Sequence, residues 1–127
     1  EYVEDTGDEQ GRLKPVPAYV MVYEISGPMF FGAADKIPHM ERDNGCRVLI
    51  LRMRSVPAMD ITALNGLRRL YDECVRKNIN VVFSHVNEQP MSVFRKSGMY
   101  DLVGAENFQP NIDVALERAI SIGGMPV

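Results

Sequence analysis

The sequence predicts an α/β fold in which helices cover a mostly parallel central sheet of four to five strands. Three apolar runs rich in β-branched residues are typical of buried strands, and segments with helical spacing follow the last two of them. Strands that alternate with helices favour parallel pairing, because the chain has to cross over the sheet between neighbouring strands. We therefore expect four to five helices packed against one sheet.

The apolar runs place the strands. The first run covers residues 18–25, the second 46–53 and the third 79–86. Each is nearly continuous in apolar residues, as expected of strands that are buried on both faces. A brief last strand is expected at Leu102 and Val103.

One helix has a clear amphipathic pattern between residues 61 and 77. Asp60 precedes it as a candidate N-cap, and Asn78 follows it as a candidate left-handed cap. The apolar residues recur at helical spacing, which predicts one face packed on the sheet. They are Ile61, Leu64, Leu67, Leu70, Tyr71, Cys74 and Val75.

Three further helices are predicted from shorter signals. One begins near Phe30 and extends to about residue 41, and one covers residues 88–97 and ends at Gly98. The last covers residues 112–120, with Asn111 as its N-cap.

The predicted domain covers residues 16–121. Residues 1–15 are acidic and poor in apolar side chains, which favours a linker from an upstream region. Residues 122–127, with Gly123, Gly124 and Pro126, are expected to form a frayed tail.

Composition excludes several classes of function. The net charge of −3, with basic residues scattered among acidic ones, argues against a nucleic-acid partner. Cys46 and Cys74 lack the spacing of a metal knuckle or a redox pair, so both are predicted to be reduced and buried, with a disulfide as the less favoured alternative. The apolar runs are well short of the roughly 18 residues that cross a bilayer, and we expect this piece to be soluble by itself.

No catalytic, cofactor or metal-binding constellation can be assembled from the sequence. Ser84 and His85 are neighbours on a predicted strand and therefore point to opposite faces, which disfavours a nucleophile and base pair. Neither a glycine-rich phosphate loop with its lysine nor a metal motif is present. We expect a protein that binds partners without catalysing a reaction and without a cofactor.

The loop before the amphipathic helix is the main candidate site, because ligands of open α/β sheets gather at the carboxyl ends of the strands. Asp60 and Thr62 both carry oxygens that can accept hydrogen bonds from the first helical turn. Plain helix capping is the favoured reading. An anion or partner site at the positive end of the helix is the alternative.

Two segments give the chain a specific resemblance. The run VYEISGPMFFGAAD at residues 22–35 joins an apolar strand through a Gly-Pro turn to two phenylalanines and small residues, and MDITAL follows at residues 59–64. With these motifs the chain resembles the STAS domains found at the C-terminus of sulfate-permease (SulP) anion transporters. The resemblance implies the STAS fold, also called anti-anti-sigma-like, and candidate ligand or partner contacts at Ser26, Gly27, Pro28, Phe30, Phe31, Gly32, Asp60, Ile61 and Thr62.

The resemblance also implies a cellular location, a regulatory role and a set of partners. Such a domain is non-catalytic, lies on the cytoplasmic face of the membrane and regulates transport, assembly or membrane delivery. The implied partners are the membrane domain of the same chain and, as candidates, acyl carrier protein or another cytosolic regulator, and a second copy of the domain. No cofactor is implied.

A free-standing antagonist of an anti-sigma factor is the alternative within the same fold. In those regulators the aspartate is followed immediately by a serine that is phosphorylated, whereas this chain has Ile61 in that place and Thr62 one position later. Isoleucine has no hydroxyl group to phosphorylate. Ile61 and the Phe-Phe-Gly segment therefore favour the STAS domains of transporters over the free-standing antagonists. In the transporter domains, phosphorylation at the position of Thr62 is an open alternative.

Overall fold

The computed structural model describes residues 16–29 and 45–123. Within these ranges the strands are β1 (Val20–Ser26), β2 (Val48–Ser55), β3 (Asn80–Ser84) and β4 (Phe108–Gln109). The helices are α1 (Ile61–Arg76), α2 (Glu88–Ser97), α3 (Met99–Val103) and α4 (Ile112–Gly123), with a 3₁₀ turn at Ala105–Asn107. The helix predicted at residues 30–41 lies outside the described ranges.

The four strands form one sheet in the order β1-β2-β3-β4, and every pair is parallel. This confirms the predicted parallel α/β architecture. Alternate residues of β2 point to opposite faces: Val48 and Ile50 pack beneath α4, whereas Leu49, Leu51 and Met53 belong to the core under α1, α2 and α3. The sheet is therefore covered by helices on both faces, as its continuously apolar strands require.

Helix α1 begins and ends as predicted. Its C-terminus is a Schellman motif: the Ile79 amide donates to the Cys74 carbonyl at 2.8 Å, and the Asn78 amide donates to the Val75 carbonyl at 3.1 Å. Asn78 has the left-handed φ of 60° that this turn needs. The turn delivers the chain directly into β3.

The predicted strand at Leu102 and Val103 is wrong, because these residues form the last turn of α3. The chain restarts as a helix after Gly98, whose left-handed φ of 87° ends α2, and Met99 and Val103 share the buried side of the new helix. The last strand is instead β4, two residues long, paired with Phe83 and Ser84 at the end of β3.

Helix α4 begins where it was predicted and extends further. The Asn111 side chain accepts a hydrogen bond from the Val114 amide at 3.0 Å, which confirms it as a cap. Gly123, expected in the tail, is the last residue of the helix and is buried against the Tyr19 ring, which a β-carbon there would approach to 2.1 Å. The domain limits at residues 16 and 121 otherwise remain a prediction.

Both cysteines are free and buried, as predicted. Cys46 immediately precedes β2, and Cys74 lies in the last turns of α1, on the side that faces the core.

Candidate functional site

The segments that follow β1 and β2 lie side by side at the carboxyl end of the sheet. The Gly27 amide donates to the Ser55 carbonyl at 2.8 Å, and the Met29 amide donates to the Ala58 carbonyl at 2.9 Å. The Asp60 amide then donates to the Met29 carbonyl at 3.0 Å, which completes a parallel bridge between Met29 and Met59. We call residues 26–29 and 56–62 together the carboxyl edge.

The carboxyl edge brings together six of the nine residues that the sequence predicted as a site. Ser26 and Pro28 are exposed at the end of β1, and Gly27 between them adopts a left-handed φ of 82°. Ile61 and Thr62 are exposed in the first turn of α1. The remaining predicted residues, Phe30, Phe31 and Gly32, lie outside the described ranges.

Asp60 is the N-cap of α1. Its backbone is extended (φ −105°, ψ 179°), and its Oδ1 accepts a hydrogen bond from the Ala63 amide at 2.9 Å. The favoured sequence reading, helix capping, is therefore confirmed for Asp60. Because the carboxylate already occupies the positive end of the helix, an anion bound there would meet a negative charge.

Replacing the cap gives a direct test of this assignment. We expect Asp60→Ala to lower the free energy of unfolding by about 1 kcal/mol, since the Ala63 amide loses its acceptor. Asp60→Ser restores an oxygen at the same position and should recover most of that loss. Urea unfolding followed by circular dichroism measures both variants, and an unchanged midpoint in Asp60→Ala would contradict the capping role.

Two side chains that sequence reasoning missed hold the β2–α1 loop from the α2 side. The Asn87 amide nitrogen donates to the carbonyl oxygens of Arg54 at 3.1 Å and Val56 at 2.9 Å. Gln89 bonds both backbone polar groups of Met59: its Oε1 accepts from the amide at 2.8 Å and its Nε2 donates to the carbonyl at 3.2 Å. The only sequence signal was their position just after β3, at the same end of the sheet.

A buried polar row crosses the strands near the same end, on the face covered by α4. Strand register places Glu24 beside Arg52 and Arg52 beside Ser84. Arg52 is only 1% exposed, and the Ser84 hydroxyl is fully buried with no hydrogen-bond partner among the described residues. Glu24 also accepts from the Arg54 side chain at 3.2 Å. No sequence pattern predicted a buried arginine inside this apolar strand.

The described residues offer no metal site. Within residues 16–29 and 45–123, no three His, Cys, Asp or Glu side chains lie close enough together to hold a metal ion. His85 directly follows β3 and has a left-handed backbone, with φ of 56°. Its amide donates to the Gln109 carbonyl at 2.8 Å. None of the helices in the same ranges has the length and apolar content of a membrane span.

Comparison with known proteins identifies what this architecture is similar to. The family model of the STAS domain matches residues 13–115. A crystal structure of a sulfate transporter family protein from Wolinella succinogenes is 31% identical, with a TM-score of 0.78 over 88% of this chain and 93% of that one. The STAS domain of a SulP transporter from Vibrio cholerae is also 31% identical, with a TM-score of 0.69 over 89% of each chain.

A longer relative is matched over only a small part of its own length. The protein YvdB of Bacillus subtilis (strain 168), named as a sulfate transporter, is 29% identical over 94 residues. The match covers 70% of this chain but spans only 17% of the length of YvdB.

Proposed function

The chain belongs to the STAS domain family, and on that premise we propose that it is the cytoplasmic regulatory and interaction domain of a secondary transporter of sulfate or a related anion. The observation that carries this proposal is the likeness, at 31% identity over most of both chains, to the structures of a sulfate transporter family protein and of a SulP transporter STAS domain. Transport itself belongs to a membrane part of the same protein. The domain contributes binding and no catalysis.

The surface properties of the carboxyl edge support a binding role. Its two segments are joined by backbone hydrogen bonds, so the backbone that carries the exposed side chains of Pro28, Ile61 and Thr62 has a defined arrangement. Ile61 is 56% exposed, the highest value among the large exposed hydrophobic residues of the described chain. We propose that this edge contacts the membrane part of the transporter or a cytosolic regulator, for which acyl carrier protein is one candidate. A homodimer is a second candidate assembly.

The location and size of the native product test the proposal. An antibody raised against this domain should detect a much larger protein in the membrane pellet of fractionated source cells. Removal of the domain from that protein should then lower sulfate uptake into cells or vesicles. A soluble product of about this size would contradict the proposal and favour a free-standing regulator, which phosphorylation assays with an anti-sigma kinase would examine next.

The carboxyl edge can be tested separately in the full-length protein. We expect Ile61→Arg to reduce sulfate uptake several-fold, because a buried interface does not accommodate an unpaired charge. Val75→Arg is the matched control, since Val75 is 52% exposed on the same helix but lies near its opposite end. Equal uptake by both variants, at equal membrane abundance, would show that partners do not use the edge.

A further inference from the structure

We infer that Gln89 is a positioning residue of the carboxyl edge: its side-chain amide replaces a missing strand and holds the backbone of Met59 in one conformation. Its consequence for transport rests on the function proposed above. The inference itself concerns hydrogen bonds within the domain and stands on separate evidence.

The geometry of the bridge between Met29 and Met59 explains why Met59 needs such a partner. Met29 uses its own amide and carbonyl to bond Ala58 and Asp60, the residues on either side of Met59. In a parallel bridge of this kind, the amide and carbonyl of the central residue point to the opposite side. On that side a neighbouring strand would normally bond them, but β3 ends at Ser84.

Gln89 supplies both missing partners from one side chain. Its Oε1 accepts from the Met59 amide and its Nε2 donates to the Met59 carbonyl. Only this orientation of the side-chain amide fits, because a backbone amide can only donate and a carbonyl can only accept. The Met59 side chain is 1% exposed, so the backbone it belongs to is anchored in the core as well.

The base of this contact is rigid. Gln89 lies in the first turn of α2, next to the buried Pro90, and Phe94 one turn later is fully buried. Asn87 adds one hydrogen bond to Arg54 near the end of β2 and one to Val56 in the loop. Since Met59 directly precedes the Asp60 cap, fixing Met59 fixes where α1 begins and how Ile61 is presented.

Amide hydrogen exchange, measured by NMR on this chain, tests the inference. In Gln89→Ala we expect the Met59 amide to exchange about tenfold faster, a larger increase than at the Ile50 and Val82 amides in the sheet. In Gln89→Glu a carboxylate oxygen can still accept from the Met59 amide but cannot donate to the Met59 carbonyl, so the protection of the Met59 amide should lie between that of wild type and that of Gln89→Ala. Glu88→Ala, at the neighbouring exposed position, is the control and should leave Met59 unchanged.

Two results would overturn the inference. One is an unchanged Met59 exchange rate in Gln89→Ala. The other is an equal increase at Met59, Ile50 and Val82, which would mean that Gln89 contributes only to global stability. In the full-length protein, Gln89→Ala should lower sulfate uptake in the same direction as Ile61→Arg. A local exchange effect without an uptake effect would leave the positioning role intact and count against the proposed function of the edge.

Discussion

Phe94→Ala should lower the free energy of unfolding by about 4 kcal/mol, because the substitution leaves a cavity where a large aromatic side chain is fully buried. The Phe94 ring meets Phe83 edge to face at a centroid distance of 4.9 Å, and it meets Phe108 at 5.2 Å. Phe83 and Phe108 stack on each other at 5.1 Å. The loss is a large share of the roughly 5–15 kcal/mol that stabilises a domain of this size.

The position of Phe94 makes the effect more than a local cavity. Phe108 belongs to β4, which has only two residues and pairs with β3 through Phe83 and Ser84. The three rings therefore join α2, β3 and β4, and without Phe94 the short strand loses one of the three aromatic contacts of Phe108 among the described residues. We expect the β4 amides to exchange faster in Phe94→Ala even at temperatures where the domain remains folded.

Urea unfolding, followed by circular dichroism, measures the change. Lys96→Ala lies on the exposed side of the same helix and should alter the free energy of unfolding by less than about 0.5 kcal/mol. Phe94→Leu keeps most of the side-chain volume, so its loss of free energy of unfolding should lie between those of Phe94→Ala and Lys96→Ala. A loss below about 1.5 kcal/mol in Phe94→Ala would mean that the surrounding side chains collapse into the cavity, contrary to the tight packing of the rings.

Strand β4 is also an example of an element that the sequence alone does not predict. The pattern at residues 61–77 predicted α1 because its signals are local: an amphipathic repeat, an Asp cap and an Asn in the left-handed turn. Strand β4 has no such pattern, and only its pairing with β3 makes it a strand. Leu102 and Val103 are apolar neighbours that looked like a strand, although the left-handed Gly98 had already restarted the chain as a helix.

The candidate site likewise contains some features that local sequence patterns predict and others that depend on contacts between distant segments. Sequence patterns placed the Asp60 cap and the end of β1 before Gly27 correctly, since caps and glycine positions with positive φ are determined within a few residues. The Gln89 contact spans 30 residues, and the row of Glu24, Arg52 and Ser84 depends on the register of three strands. Neither is encoded in a local pattern, so neither could be read before the strands were paired.

Cys74 should make the domain sensitive to alkaline pH. The pKa of its thiol is raised from 9.0 to about 12, chiefly by burial and to a smaller extent by the nearby Cys46 and Glu73, while Lys77 acts in the opposite direction. The folded state therefore holds a proton that the unfolded state releases. The stabilisation is complete below pH 9.0 and is lost as the pH rises towards about 12.

The expected size of this effect can be measured against a variant that lacks the thiol. Between about pH 8 and pH 10, wild type should lose roughly 1 kcal/mol more of its free energy of unfolding than Cys74→Ala. Other groups that titrate in this range, such as tyrosines and lysines, are common to both proteins and cancel in the difference. The comparison uses the change with pH within each protein, so the cavity left by alanine does not affect it.

Alkylation provides an independent reading of the same group. Only the thiolate reacts, and the higher pKa lowers the thiolate fraction of Cys74 in the folded domain. Iodoacetamide at about pH 8 should therefore modify Cys74 on the order of a thousandfold more slowly in the folded domain than in urea. Mass spectrometry of the digested protein gives the rate at each cysteine. Fast labelling of Cys74 under native conditions would mean that the last turns of α1 open readily, which the Schellman motif at Asn78 and Ile79 argues against. Such a result would contradict both the burial of Cys74 and the ordered turn into β3. The two features are linked, because the Cys74 carbonyl accepts the hydrogen bond from the Ile79 amide that forms this turn.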